Sequence, residues 1–385
     1  MFGLVKIFNP FLIKKTIVLL KMNNLIFSLG FVFMLLTSSF SYHQAPIPIP
    51  NPIVFVPGLG ASCIYEEKGT KIWPPTLNDI LYSKQKFKVN NLLESNMPIL
   101  MPSYDETESI KNIEIIKDEL KYFIKKRFGE TFIKNLKLKN HPTYAFVYDF
   151  RIVPNPNYFD KLFLSFKQSI ENIYSNNSNT KIVIIAHSLG SLVINTFLNQ
   201  NSNEWNKKYI DKIIFVNPPI LGSIEALRLI LVDTIDILFK QINIQHIQNF
   251  GGIIWCLPKI NSSDKILNID GIDINLNKNI FPSNILEVYN RFFLTKLTKF
   301  KIKHKIITHL ILSDGIKTPT KLYLKKVNNK YKVIKYDYVD GDGIILPLDR
   351  MIIKEFNFVH RLKGDHSDIL KTNVFLKKIC EILKY

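Results

Sequence analysis

The residues best placed to do chemistry lie in Ala186-His187-Ser188-Leu189-Gly190, directly after the apolar run Ile182-Val183-Ile184-Ile185. A serine with unbulky residues two positions to either side, at the end of a strand and the start of a helix, has the pattern of a nucleophile elbow. The strained turn brings neighbouring backbone into contact, so Ala186 and Gly190 are the types the pattern needs. The turn also sets the hydroxyl at a helix N-terminus, where free N–H groups favour developing negative charge. The predicted chemistry is covalent attack by Ser188 on an acyl carbon.

A serine hydroxyl is a weak nucleophile. It requires a base in hydrogen-bond reach and a carboxylate that orients the base and stabilises its protonated form. For this kind of elbow the chain order is serine, acid, histidine. The downstream candidates are Asp342, in Asp340-Gly341-Asp342-Gly343, and His366, in Lys363-Gly364-Asp365-His366-Ser367. Asp340 is the alternative acid. His360 is the alternative base, but it follows Phe358-Val359 and reads as strand-bound. The Asp-Gly-Asp-Gly segment also reads as a tight turn; Ile344 at the next ligand position rules out a calcium loop. A tetrahedral transition state needs two donors. One is the N–H of Leu189, and the other comes from Pro57-Gly58-Leu59-Gly60, at Leu59. His187 is expected to be fixed beside the nucleophile. His304 and His309 flank a core strand with no carboxylate or cysteine at metal spacing, so no metal site is expected.

These groups must be positioned by alternating strands and helices. Ile53–Val56 is a short apolar run closed by Pro57-Gly58, the pattern of a buried strand entering a turn. Tyr144–Tyr148, Ile182–Ala186 and Ile213–Val216 read as further strands. Phe159, Leu162, Phe166, Ile170 and Ile173 repeat at helical spacing, and Leu189–Leu198 reads as the helix after the elbow. The alternation predicts an α/β fold with a mostly parallel sheet and helices on both faces. A helical stretch over Ile224–Phe239 and the segment Gly251–Trp255 read as an inserted cap. Core strands are expected to resume at Ile306–Leu312, Lys321–Leu324 and Tyr331–Tyr336, with Ser367 capping a closing helix through Leu383.

The formal charge of +19 raises the question of nucleic acid. The lysines fall in short scattered groups among Asn and Ile, which reads as solvated faces; the functional alternative is attraction to anionic lipid headgroups. Cys63, Cys256 and Cys380 allow one bridge at most and no C-x-x-C zinc pair. Residues 1–65 hold no Asp or Glu. Lys14, Lys15 and Lys21 precede the apolar run Leu25–Leu36 and small residues near Ser39 and Ser41, the order of a secretory signal, with Met22 as an alternative start. The expected organisation is a signal peptide or uncleaved signal anchor over 1–41, a linker over 42–52 and one catalytic domain over 53–385. Its cap or lid elements are expected near 63–110 and 223–300. Asn176 and Asn261 head N-x-S triplets, which fit a lumenal route.

With those residues in hand, the chain resembles the lecithin:cholesterol acyltransferase and lysosomal phospholipase A2 family. Val56-Pro57-Gly58-Leu59-Gly60 is similar to that family's first loop, Lys71-Ile72-Trp73 to the start of its lid, and Tyr148-Asp149-Phe150-Arg151 to a Tyr-Asp-Trp-Arg signature. The elbow, Trp205 with Lys207–Ile210, Pro319-Thr320, Tyr338–Gly343 and His366 complete the series. The resemblance implies an α/β-hydrolase fold with triad roles for Ser188, Asp342 and His366 and oxyanion roles for Leu59 and Leu189. It further implies a phospholipid or lipid-ester substrate met at a membrane or lipoprotein-like surface, no coenzyme A, metal or organic cofactor, and no nucleic acid. Trp73, Asp149, Gly222 and Trp255 become candidates for substrate or lid contacts. The chain departs from the family at Phe150, where Trp is usual, at Asn217–Ser223, which lacks an aromatic-Gly-Gly run, at Ile344, where Thr is usual, and at Cys63, which has no nearby partner. A soluble carboxylesterase or neutral-lipid lipase remains open, as does a non-catalytic binding protein on the same fold.

Overall fold

The computed structural model describes residues 50–62, 64–65, 71–73, 141–232, 234–237, 240–243, 248–259, 265–276, 280–288 and 300–384. The leader, most of the linker, Cys63, Asn261 and most of the segment 63–110 lie outside the described residues. Six parallel strands form the central sheet: β1 (Ile53–Val56), β4 (Thr143–Ala145), β5 (Ile182–His187), β6 (Ile210–Val216), β11 (Ile307–Asp314) and β14 (Phe358–Lys363). Their spatial order is β14-β11-β6-β5-β1-β4.

The inner strands of the sheet are buried on both faces, and the two-residue period of the strands decides which residue faces which layer. In β1 and β5, Val54, Val56, Ile184 and Ala186 join the larger core cluster. That cluster includes Leu162, Phe166 and Ile170 of α1 (Pro156–Asn176) and Phe197 of α2 (Leu189–Gln200). Their neighbours Ile53, Phe55, Val183 and Ile185 face the other way, onto a cluster that contains Phe375, Ile379 and Ile382. A short α3 (Asn203–Tyr209) leads into β6. This layered parallel sheet is the α/β-hydrolase fold.

The chain leaves β1 for β4 on one side and returns to β5 on the other. That reversal makes the C-terminal ends of β1 and β5 a topological switch point, where this architecture opens a crevice.

Three expectations are corrected. First, the helix α4 spans only Ile224–Leu231; Val232 is extended, and β7 (Thr234–Ile237) pairs with β8 (Lys240–Asn243) in a hairpin. The β-branched residues Val232, Thr234, Ile235 and Ile237 favour extended backbone over a longer helix. A five-residue helix, α5 (Gly251–Trp255), follows. Second, the strands expected to belong to the core after Leu312 form a separate sheet. Here β9 (Leu267–Ile269), β10 (Ile272–Ile274), β12 (Ile316–Val327) and β13 (Lys330–Gly341) pair in the order β10-β9-β12-β13. Alternation specifies a half-buried strand but not its partner, and Leu322 and Leu324 bury their face in the larger core cluster. Third, Ser367 heads only a 3-10 turn over Asp368–Lys371, without a side-chain cap bond, and the closing helix starts at Asn373. Thr372 caps that helix by accepting a bond from the Phe375 N–H.

Two short strands, β2 (Ile64–Tyr65) and β3 (Lys71–Trp73), pair after the first loop. Two further helices are α6 (Ser283–Val288) and α7 (Arg350–Ile353), and the closing helix is α8 (Asn373–Leu383). No helix among the described residues is long and apolar enough to cross a membrane.

Candidate active site

Ser188 ends β5 and heads α2 with φ 51° and ψ −128°, a left-handed conformation that a side-chain-bearing residue adopts only under constraint. The constraint is visible on both sides. The Ser188 N–H donates to Val216 O at 2.9 Å, and Ser188 O accepts from Ser191 N at 2.9 Å. A Cβ on Gly190 would lie 2.5 Å from Pro57 O and 2.7 Å from Val56 O, so only glycine lets the elbow close against the end of β1. Gly58 meets the nucleophile from the other loop: its Cβ would lie 2.9 Å from Ser188 Cβ.

His366, beyond the end of β14, presents Nε2 to Ser188 Oγ at 2.9 Å and Nδ1 to Asp342 Oδ2 at 2.6 Å. Asp342 follows β13, and its other oxygen accepts from the N–H groups of Ile344 and Ile345 at 2.8 and 2.9 Å. Burial alone would push this carboxyl up. The adjacent His366 charge and hydrogen bond, with the two amides, outweigh it and hold the carboxyl below its ordinary value. The alternatives are placed elsewhere. Asp340 accepts from Gly315 N at 2.9 Å, and His360 lies in β14 with its Nε2 3.1 Å from His309 Nδ1.

Two further side chains hold the His366 loop, and of these only His187 carried a signal in the sequence. Asn217, at the end of β6, donates from Nδ2 to His366 O at 3.1 Å and to Ser313 Oγ at 2.9 Å, while its Oδ1 accepts from Ser313 N at 2.8 Å. It adopts φ 46°, a region Asn enters more readily than most residues. His187 Nε2 also binds His366 O, at 2.9 Å. Burial, then the neighbouring His366, lowers the His187 imidazole to about 3, so it stays neutral beside the triad-like group.

Leu189 is the first residue of α2, so its N–H has no intrahelical acceptor. Leu59 lies in the turn after β1. That turn is held by Tyr148, whose hydroxyl donates to Pro57 O at 2.9 Å. Asp149 does not line the cavity. It forms a buried, two-point pair with Arg151, Nε to Oδ1 at 2.9 Å and Nη2 to Oδ2 at 2.7 Å. The carbonyls of Phe150 and Arg151 receive the N–H groups of Gly252 and Gly251 at 2.9 and 2.6 Å, which fixes α5 as a wall of the site. Trp255 points into the core beside Phe159, with ring centroids 5.7 Å apart. Gly222, at φ +86°, packs its backbone on Leu257, whose carbonyl oxygen a Cβ would meet at 2.3 Å. For Trp73 the backbone lies in β3.

A cavity of about 310 Å³ opens over Ser188 and His366, with mainly apolar walls from Leu59, Phe150, Leu229, Phe250 and Ile253. The buried Cys256 thiol lines it, pushed up to about 12 by burial. A hydroxyl, an imidazole, a carboxyl held in its ionised form and a helix N-terminus around an apolar cavity are parts that acyl transfer uses.

The profile of the lecithin:cholesterol acyltransferase family matches residues 86–335. The chain belongs to that family. The match includes Ser188 and ends before Asp342 and His366. Among curated relatives, lecithin-cholesterol acyltransferase-like 1 of Arabidopsis thaliana is 24% identical over 61% of this chain and 58% of its own length. Phospholipase A(1) LCAT3 of the same plant is 24% identical over 45% of this chain and 42% of its own. The lysosomal phospholipase A and acyltransferase of Bos taurus is 32% identical over 22% of this chain and 20% of its own. The chain spans about half the length of the first two relatives it matches. Among solved structures, a chain of the Tle4–Tli4 complex is similar at 10% identity, covering 83% of this chain and 92% of its own with a TM-score of 0.45. Phe150, Pro219, Ser223 and Ile344, which fall at positions expected to depart from the family pattern, all line the cavity.

Proposed function

We propose that this chain is a serine acyl hydrolase or coenzyme-A-independent acyltransferase acting on glycerophospholipid esters. The observation that carries the reading is one imidazole bridging the Ser188 hydroxyl at 2.9 Å and the Asp342 carboxylate at 2.6 Å. As Ser188 Oγ bonds to the ester carbonyl carbon, its proton passes to His366 Nε2, and the carbonyl oxygen becomes an oxyanion received by the N–H groups of Leu59 and Leu189. The bond from carbonyl carbon to glycerol oxygen then breaks, and the leaving oxygen takes the proton from His366. This leaves the acyl chain esterified to Ser188. Water or an alcohol enters next and gives its proton to His366 as its oxygen bonds to the acyl carbon; the bond from that carbon to Ser188 Oγ then breaks, Oγ takes the proton back, and the acyl group leaves as a fatty acid or a new ester. Asp342, kept ionised by its partners, holds the imidazole in the required tautomer.

The relatives' names, phospholipase A(1) and acyltransferase, support the ester class. In this reading residues 1–41 direct the chain into the secretory pathway or tether it there, and 42–52 link them to a catalytic domain over 53–385. Segments near 63–110 and 223–300 form the cap. Asn176, exposed at the end of α1, is then an available glycan acceptor. Substrate is met at a membrane or lipoprotein-like surface. Release of labelled fatty acid from phosphatidylcholine vesicles tests the reading: Ser188→Ala abolishes it, and undiminished release overturns it. Adding a sterol or lysolipid acceptor separates transfer from hydrolysis.

A further inference from the structure

One surface left unused by this chemistry is the hairpin of β12 and β13. Between Ile316 and Gly341 the chain carries seven lysines, two aspartates and no glutamate or arginine. Cross-strand partners share a face, and the register pairs Tyr323 with Lys335, Lys325 with Lys332 and Val327 with Lys330. The intervening residues Leu322 and Leu324 are buried in the core, so these lysines stand on the outer face. A β-bulge beside Tyr323 and Leu324 adds Ile334, 58% exposed, to the strip.

The charge on this face is not neutralised from within. Asp337 accepts from the Tyr323 hydroxyl at 2.7 Å, and Lys321 pairs with Asp273 at 2.7 Å. Lys325, Lys330 and Lys332 make no ion pair among the described residues, and Lys335 lies over the Tyr323 ring, 4.4 Å from its centroid. Lysines on an edge strand also deter pairing with foreign strands, and β13 is an edge. That role does not account for exposed Ile334 and part-exposed Tyr323 among them. Cations interleaved with exposed apolar and aromatic side chains match an anionic bilayer interface, where headgroups meet the former and the acyl boundary the latter. The hairpin root is also continuous with the cavity. β13 runs into Asp342, Ile316 packs beside Gly343, and half-exposed Ile344 lines the cavity itself.

We infer that the outer face of this hairpin docks the chain onto an anionic lipid surface and sets the acyl cavity beside it. The inference rests on the phospholipid reading of the Ser188 site, but its test reads binding and not turnover. Full-length Ser188→Ala protein is co-sedimented with neutral phosphatidylcholine vesicles and with vesicles containing phosphatidylglycerol, at low and high salt. Stronger binding to the anionic vesicles, weakened by salt, is expected. Adding Lys325→Ala, Lys330→Ala, Lys332→Ala and Lys335→Ala together lowers anionic partitioning at least about tenfold. The control set Lys161→Ala, Lys181→Ala, Lys354→Ala and Lys377→Ala retains it. Urea midpoints equal to the parent's establish that both sets fold. Equal losses in the two sets, no preference for anionic vesicles, or capture by a lipid-free oligonucleotide in place of vesicles would overturn the inference. Failure to release fatty acid would instead count against the catalytic reading alone.

Discussion

Replacing Asn217 with Ala removes the side chain that joins the ends of β6 and β11 to the His366 loop. Three bonds are lost, to Ser313 N, Ser313 Oγ and His366 O. His366 O keeps its bond from His187, so the main orphan is the buried Ser313 N–H, at a cost of about 1–3 kcal/mol. Alanine at φ 46° adds about 1 kcal/mol of backbone strain. The expected destabilisation is therefore about 3 kcal/mol by urea unfolding. Slack in the loop carries His366 away from its 2.9 Å contact with Ser188, and misplacement on the 1 Å scale lowers turnover of a soluble ester about a hundredfold. Asn217→Gly separates the two causes: it relieves the strain and regains about 1 kcal/mol, but turnover stays low. A loss below about 1 kcal/mol with unchanged turnover in Asn217→Ala would refute the positioning argument.

Gly190→Ala forces backbone apart at the elbow, so it is expected to cost about 1–3 kcal/mol and most of the turnover. Gly271→Ala, where an added Cβ meets nothing within 4 Å but φ is +86°, serves as the comparison: it costs about 1 kcal/mol of backbone strain and retains turnover. Stability is expected to fall in acid. His304 is buried, neither ring nitrogen has a partner among the described residues, and burial lowers it from 6.5 to about 4. The unfolded chain therefore binds this proton first: the contribution is complete above pH 6.5 and falls by about 3 kcal/mol as pH drops through 4. His304→Leu flattens that slope in urea titrations between neutral and acid pH, and an unchanged slope would contradict it.

The elbow was legible because it compresses strand, turn and helix signals into a few residues. Ile182–Ala186 is fully apolar, as a strand buried on both faces must be, and small residues flank Ser188 where backbone must approach. The convergence of Asp342 and His366 followed from chain order and loop position. The sheet to which β12 and β13 belong was not legible, since Leu322 and Leu324 alternate with less buried residues as they would in any half-buried strand. Asn217 was invisible as a positioning residue for another reason. Its role depends on contacts to residues 96 and 149 positions away, and a single asparagine among many carries no periodic signal. Asp149 reads in sequence as a site residue and in structure as the partner of Arg151, because the signature Tyr148–Arg151 builds the cavity wall by pinning α5.

The central claim is that the Ser188 hydroxyl is an activated nucleophile. Its most direct test is labelling of the folded chain with a fluorophosphonate, with the adduct site mapped by mass spectrometry. The expected result is one adduct, on Ser188, formed far more slowly in His366→Ala and absent after denaturation. A folded chain that stays unlabelled, or labels at another serine, contradicts it.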